Sequence, residues 1–250
     1  MAEELYLFLN SNAKGFSQNT GSTFSTVFNT PVELAKHVEN FEVGITTLIV
    51  SAHALNVVDG EFEFYSTSLG HMVSTRIPEG QYQIPDGFVT EFTKAVQPDT
   101  TSYLLQYDAA ICKYKIQTTN DMCTISFSEN LQKLLGFSKP ITGKGITFAN
   151  QSWNACGGYE HMYVFCNHVE LSYVGNEKLP ILGVFPYNGT TGTQGKLIYE
   201  PVNRVYVPLL RREFQSIHID IKNSIGQMFS FPTGEESSLL LHIRPANSHI

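Results

Sequence analysis

Residues 161–174 read HMYVFCNHVELSYV. Apolar and polar or aromatic side chains alternate there for more than ten residues, the period of a half-buried β-strand. The stretch 41–50, FEVGITTLIV, is almost continuously apolar. It is long enough for a strand buried on both faces, or for one bent at Gly44. Working outward, Leu5–Leu9, Thr23–Phe28 and Glu61–Tyr65 read as strands before the middle of the chain. Pro180–Tyr187, Leu197–Glu200, Arg204–Pro208, Phe214–Ile221 and Ser238–Ile243 read as strands after it. Short β-branched and aromatic runs divided by Gly, Pro, Asn and Asp predict an all-β sandwich.

The middle third departs from this pattern. After a strand at His71–Ile77, the segment from Pro85 to Val96 opens with proline and aspartate and spaces Phe88, Phe92, Ala95 and Val96 as a helix does. Strands are expected at Tyr103–Tyr107, Cys112–Gln117 and Met122–Phe127, forming one small antiparallel sheet. Ser128 then fits an N-cap, Leu131, Leu134 and Leu135 an apolar stripe, and Gly136 a helix stop. The expected organisation is a sandwich built from residues 1–66 and 157–250, with an α+β insertion over 67–156.

The hydrophobic fraction is 42%, and with the 19 glycines the apolar class reaches about 50% of 250 residues, ample for a core. Charged residues make up only 16%, against about 25% in ordinary soluble domains. A surface poor in charge must show hydroxyls, amides, aromatics and apolar atoms, as a surface destined for other subunits does. All-β domains rich in Ser, Thr and Asn also carry such surfaces without assembling. The net charge of −7 and the absence of any basic cluster beyond Arg211 and Arg212 argue against direct contact with nucleic acid. The opening MAEELYLFLN lacks the basic and apolar regions of a signal peptide, and no run approaches ~18 apolar residues, so no membrane span is expected. Cysteines at 112, 123, 156 and 166 show no C-x-x-C pairing and read as free thiols.

Candidate chemistry is sparse. Cys166 and His168, and likewise His218 and Asp220, share a strand face, which permits a metal or acid–base pair. The same residues also suit ordinary half-buried strand positions. No G-x-S-x-G elbow occurs, and Gly157-Gly158 precedes a strand instead of opening a phosphate-binding helix. Trp153, the one tryptophan, lies in a turn-rich stretch and suits either an exposed interface anchor or packing beneath a loop. Arg211 and Arg212 suit inter-subunit ion pairs or simple solvation. No cofactor or metal is implied.

The order of local patterns is more informative. Leu9-Asn10-Ser11-Asn12, Ser17 through Thr26, Thr30-Pro-Val-Glu-Leu34 and the run Asn40-Phe41-Glu42-Val43-Gly44-Ile45 follow one another at the start. The helix at 85–96, SENLQKLLGF at 128–137, Met162–Cys166, Tyr206-Val207-Pro208, Phe214–Ile221 and Leu239–Arg244 follow in turn. Together they resemble the penton, or minor capsid, proteins of Polinton/Maverick elements and adintoviruses. Phe41 stands in the W/F-E-V-G-L strand of that family, and Ser51–Asn56 replaces a segment that often carries proline and tryptophan there.

The resemblance implies a single jelly-roll protein without enzymatic activity. It implies homopentamers at the vertices of an icosahedral double-stranded DNA shell, beside a double-jelly-roll major capsid protein. The expected location is the virion, with assembly in the host nucleus. The insertion is expected to project outward and meet a receptor or spike. Two other readings stay open at this point: a glycan-binding jelly-roll module stacking sugars on Trp153 or tyrosines, and a metal-dependent jelly-roll enzyme using His168 and His218.

Overall fold

The computed structural model describes residues 4–12, 18–80, 82, 86–152, 160–187, 195–224 and 226–246. The chain divides into two compact units, residues 1–54 with 159–250, and residues 55–158.

The first unit holds strands β1 (Leu5–Asn10), β2 (Thr23–Glu33) and β3 (Phe41–Ser51). The second holds β4 (Glu61–Ser66), β5 (His71–Arg76), α1 (Asp86–Ala95), β6 (Tyr103–Asp108), β7 (Lys113–Thr118), β8 (Thr124–Phe127), α2 (Glu129–Leu135), β9 (Ile141–Thr142) and β10 (Gly145–Phe148). The chain then returns to the first unit with β11 (His161–Cys166), β12 (Ser172–Val174), β13 (Glu177–Leu179), β14 (Ile181–Pro186), β15 (Lys196–Tyr199), β16 (Tyr206–Pro208), β17 (Glu213–Lys222) and β18 (Ser238–Pro245).

Eight principal strands of the first unit pair by a simple rule. The first, β1, pairs with the last, β18; β2 pairs with β17; β3 pairs with β15; and β11 pairs with β14, all antiparallel. This is one long hairpin rolled upon itself, the wiring of a jelly roll. Further pairings of β18 with β3 and of β11 with β17 close it into two sheets, ordered β1-β18-β3-β15 and β14-β11-β17-β2. Strand alternation explains the core between them. Leu7, Leu9, Leu48, Val50, Leu239 and Leu241 turn inward from the first sheet, and Phe24, Met162, Val164, Ile217, Ile219 and Ile221 from the second. The second unit intervenes between the third and fourth principal strands.

The second unit has its own core, in which Phe62, Phe64, Phe88, Phe92, Tyr103 and Leu131 are sealed from solvent. Phe62 stacks on Phe92 at 5.5 Å and Phe127 on Phe137 at 5.8 Å. Helix α1 buries Phe88 and Phe92, four residues apart on one face. Helix α2 begins where Ser128 Oγ accepts from the Leu131 amide at 3.4 Å, and it ends at Gly136, whose φ of 81° suits glycine. A Cβ at Gly136 would lie 2.3 Å from the carbonyl oxygen of Gln151, so no other residue fits there.

Several expectations need correction. The strand expected with the sandwich at 61–65 is β4, which pairs with β5 and β8 in the second unit. Accordingly, the first unit is left after Ala54 and not after residue 66. The three strands expected as one sheet separate: β6 and β7 join β10, whereas β8 joins β4 and β9. The alternation from 161 stops at Cys166, because the chain turns at Asn167, whose side-chain oxygen accepts from the His218 amide at 2.9 Å. The irregularity in β3 is opposite the Leu240/Leu241 step and not at Gly44.

Candidate interaction surfaces

The two outward faces of the jelly roll differ in chemistry. On the β14-β11-β17-β2 sheet the outward groups of β17 and β2 form a polar network bonded across strands, beside exposed Val27 and Val184. Ser25 Oγ lies 2.7 Å from His218 Nδ1, and His218 Nε2 lies 3.0 Å from Asp220 Oδ1. Thr23 Oγ1 donates to the same carboxylate oxygen at 2.7 Å, and the Lys222 ammonium sits 3.7 Å from the other. In the neutral imidazole the acceptor-only Asp220 carboxylate takes the Nε2–H, which leaves Nδ1 to accept from the Ser25 hydroxyl.

The pair His218 and Asp220, singled out as an acid–base candidate, is therefore brought together. Its setting is that of a cross-strand clamp. Both ring nitrogens and the carboxylate are engaged by neighbouring side chains, and the His218 amide donates to Asn167 Oδ1. His168 lies elsewhere: Nε2 is 2.6 Å from the Ser216 carbonyl, and the ring stacks on Phe214 at 4.8 Å. Cys166 is buried, and desolvation pushes its thiol up to about 11. Among the described residues no cluster of three or more His, Cys, Asp and Glu is placed to hold a metal ion.

The outward face of the β1-β18-β3-β15 sheet is apolar and aromatic. Tyr6 and Phe8 on the edge strand β1 stand exposed, Phe8 by 64%, and Ile198 on β15 by 63%. Between them a built cluster crosses four strands. Strand β16 pairs with β3 so that Tyr206 meets Gly44, Val207 meets Val43 and Pro208 meets Glu42. Two of the segments named for the family resemblance, separated by some 160 residues of chain, are thus direct neighbours.

Gly44 gives the Tyr206 ring its close approach to β3. A Cβ there would lie 3.1 Å from two ring carbons and 3.0 Å from the carbonyl oxygen of Val205. With the ring lying on the strand, the Tyr206 hydroxyl reaches His242 Nδ1 at 2.8 Å. Tyr6 stacks on the His242 imidazole at 4.5 Å. The Arg244 guanidinium covers the Tyr206 ring at 3.6 Å, and its Nε donates to Glu42 at 2.7 Å. His242 is buried, its Nε2 makes no hydrogen bond, and the Glu4 carboxylate stands 3.7 Å away. Phe41 and Val43 point the other way, into the core. The residues together make a stiff platform whose top is aromatic and whose rim carries one cation and two carboxylates.

Arg212 donates to the carbonyls of Lys36 and Glu39, so its guanidinium ties the chain after β2 to the start of β17. Arg211 is exposed. Trp153 is outside the described residues, as are Cys156, Gly157 and Gly158. Of the residues named for the glycan reading, Trp153 lies outside the described residues, and among the tyrosines Tyr6 and Tyr173 are exposed. No described helix is long and apolar enough to cross a membrane.

Sequence reasoning missed the ribbon β12–β13, which pairs with no other strand. The dipeptide Gly175-Asn176 between two short runs is the hairpin signal that would have found it. It also missed Tyr6, Tyr206 and His242 as one cluster, since only the register of β1, β18, β3 and β16 joins them.

No protein-family model matches the chain, and neither does any curated protein. Among solved structures, the crystal structure of the mavirus penton protein is similar at a TM-score of 0.47 and 10% sequence identity, covering 97% of this chain and 100% of that one.

Proposed function

We propose that this chain is a structural capsid subunit. It forms homopentameric vertices of an icosahedral double-stranded DNA virus or virus-like element, beside a double-jelly-roll major capsid protein. The observation that carries the reading is the pairing of a complete eight-strand jelly roll with one apolar, aromatic outward sheet face.

A rolled hairpin with both sheets tied by a shared core is a rigid wedge, and rigid wedges close into rings by repeating one contact. Burying apolar surface at about 25 cal/mol per Å² drives that contact. A standard interface takes roughly 800 Å² from each partner. The resemblance to penton proteins supports the same reading, since its motif residues Glu42, Gly44 and Tyr206 build the platform on that face, while Val43 and Val207 pair beneath it and face the core. The low charge density suits subunit contact, and the acidic balance suits a vertex protein that leaves the genome to others.

In this reading function is mechanical and no chemical step is required. The inserted unit, lying between the third and fourth principal strands, has a core of its own, and it faces a receptor or spike outside the shell. The protein resides in the virion and assembles in the host nucleus. The test is native mass by light scattering over a wide concentration range. A species of five times the 27.9 kDa chain mass is expected. A strict monomer up to the highest soluble concentration, with and without the major capsid protein, refutes the reading.

A further inference from the structure

The β12–β13 ribbon is a sheet of two strands only, and such a ribbon has little stability of its own in water. Leu171 and Tyr173, two residues apart, are 58% and 72% exposed. The Lys178 ammonium lies 4.9 Å from the Tyr173 ring, its partner across the ribbon. On this face the ribbon presents an apolar knob with one positive charge, while exposed Glu177 alternates to the other face.

The same unit holds a cleft of about 410 Å³ beside β14 and β15. These strands end the two sheets, so each leaves one backbone edge unpaired. Leu182, Val184, Phe185, Ile198 and Val205 line the cleft, and Glu200 is the one carboxylate in the lining. Its volume falls within the ~300–1,000 Å³ of clefts that hold ligands. Like the knob, it is mostly apolar with a single charged side chain, of the opposite sign.

We propose that the Leu171/Tyr173 knob of one subunit seats in the β14–β15 cleft of a second copy, with Lys178 pairing with Glu200 of the partner subunit. The inference rests on the assembly reading above and places the decisive part of the contact at the β15 end of the apolar face, where Ile198 belongs to both face and cleft. Knob and cleft are different patches, so the contact is head-to-tail: each subunit uses one of each, and only a closed ring leaves none open. A second copy is the occupant because the chain itself supplies both the matching apolar surface and the opposite charge. The exposed edge of β14 is covered in the same step, as edge strands require.

The experiment uses two double variants of the full chain. One removes the knob, Leu171→Ser with Tyr173→Ser. The other spoils the cleft, Ile198→Asp with Val205→Asp. All four side chains are exposed, and circular dichroism with thermal melting verifies that each variant keeps the fold. Each variant alone is expected to run as a monomer. A 1:1 mixture is expected to give heterodimers of twice the chain mass and nothing larger, since one intact contact remains per pair. Reversing one charge, Lys178→Glu or Glu200→Lys, is expected to raise the dissociation constant about tenfold, and reversing both restores it.

If the wild type assembles and either double variant assembles equally well, this contact is overturned while the capsid reading stands. The same holds if the mixed variants stay monomeric. A wild type that never assembles overturns the capsid reading, and the inference with it.

Discussion

Asp99 carries the sharpest stability prediction, because its carboxylate is 1% exposed and is fully occupied. Its Oδ1 accepts from Thr67 Oγ1 at 2.6 Å, from the Ser68 amide at 3.0 Å and from Ser68 Oγ at 2.9 Å. Its Oδ2 accepts from the Ser66 hydroxyl, which is itself sealed from solvent. Burial opposes ionisation here, but these four bonds outweigh it and hold the carboxyl below its ordinary value. Truncation in Asp99→Ala strands these donors beneath the β4–β5 turn. A hydrogen bond to a charged group is worth ~1.5–3 kcal/mol, and part is returned because the charge no longer has to be buried. A net loss of about 3 kcal/mol follows, or a fall in Tm of roughly 6–12 °C for a chain of this size. Asp99→Asn keeps one acceptor oxygen and loses less.

The pH dependence has a definite sign. A depressed folded pKa contributes stability that is present above the unfolded value near 3.8 and disappears as pH falls through the lower folded value. The gap between wild type and Asp99→Asn should therefore stay constant from pH 7 to about pH 5 and narrow in more acidic solution. Urea unfolding across that range, with hydrogen exchange read at residues 66–70, measures both effects. An Asp99→Ala protein within about 0.5 kcal/mol of wild type, the scatter of an ordinary surface substitution, refutes the argument.

Gly44→Val pushes a side chain into the Tyr206 ring and the Val205 carbonyl, releasing the hydrogen bond to His242 and the Arg244 stack. The expected cost is about 1–3 kcal/mol, with loss of ordered oligomer, both read from melting and native mass. Alkylation of the native protein should modify exposed Cys112 and spare buried Cys123 and Cys166, as peptide mapping would reveal. Cys166 in particular, with its thiol held near 11, should stay unmodified until the fold opens. Replacing residues 55–158 by a Gly/Ser linker should leave the jelly roll folded and assembling, because the two units have separate cores. An aggregated or unfolded product would contradict that division.

The roll was legible in the sequence wherever strands alternate cleanly. Leu5–Leu9, Phe41–Val50, Phe214–Ile221 and Ser238–Ile243 declare their buried faces by period alone, and each is a strand of the sandwich. Partner choice is not local, which is why Glu61–Tyr65 was assigned to the wrong unit. Its alternation says that one face is wet, but nothing in it selects β8 over a sandwich strand as neighbour. β9 and β10 escaped because Gly143 and Gly145 break a short run and all four residues of β10 are exposed, leaving no buried face to read. The helix at 129–135 was legible to the residue, since Ser128 and Gly136 are capping signals with local chemistry. The platform was half legible: the resemblance marked both segments, but that Tyr206 lies on Gly44 follows only from the register of β16 with β3.

The central claim is that an apolar jelly-roll face builds a closed ring of identical subunits. Electron microscopy of the assembled species, with rotational symmetry determined from class averages, tests it most directly. The account predicts closed rings with five-fold symmetry, each subunit contributing one jelly-roll lobe. Open filaments, rings of another order, or a field of single subunits under all assembly conditions would contradict it.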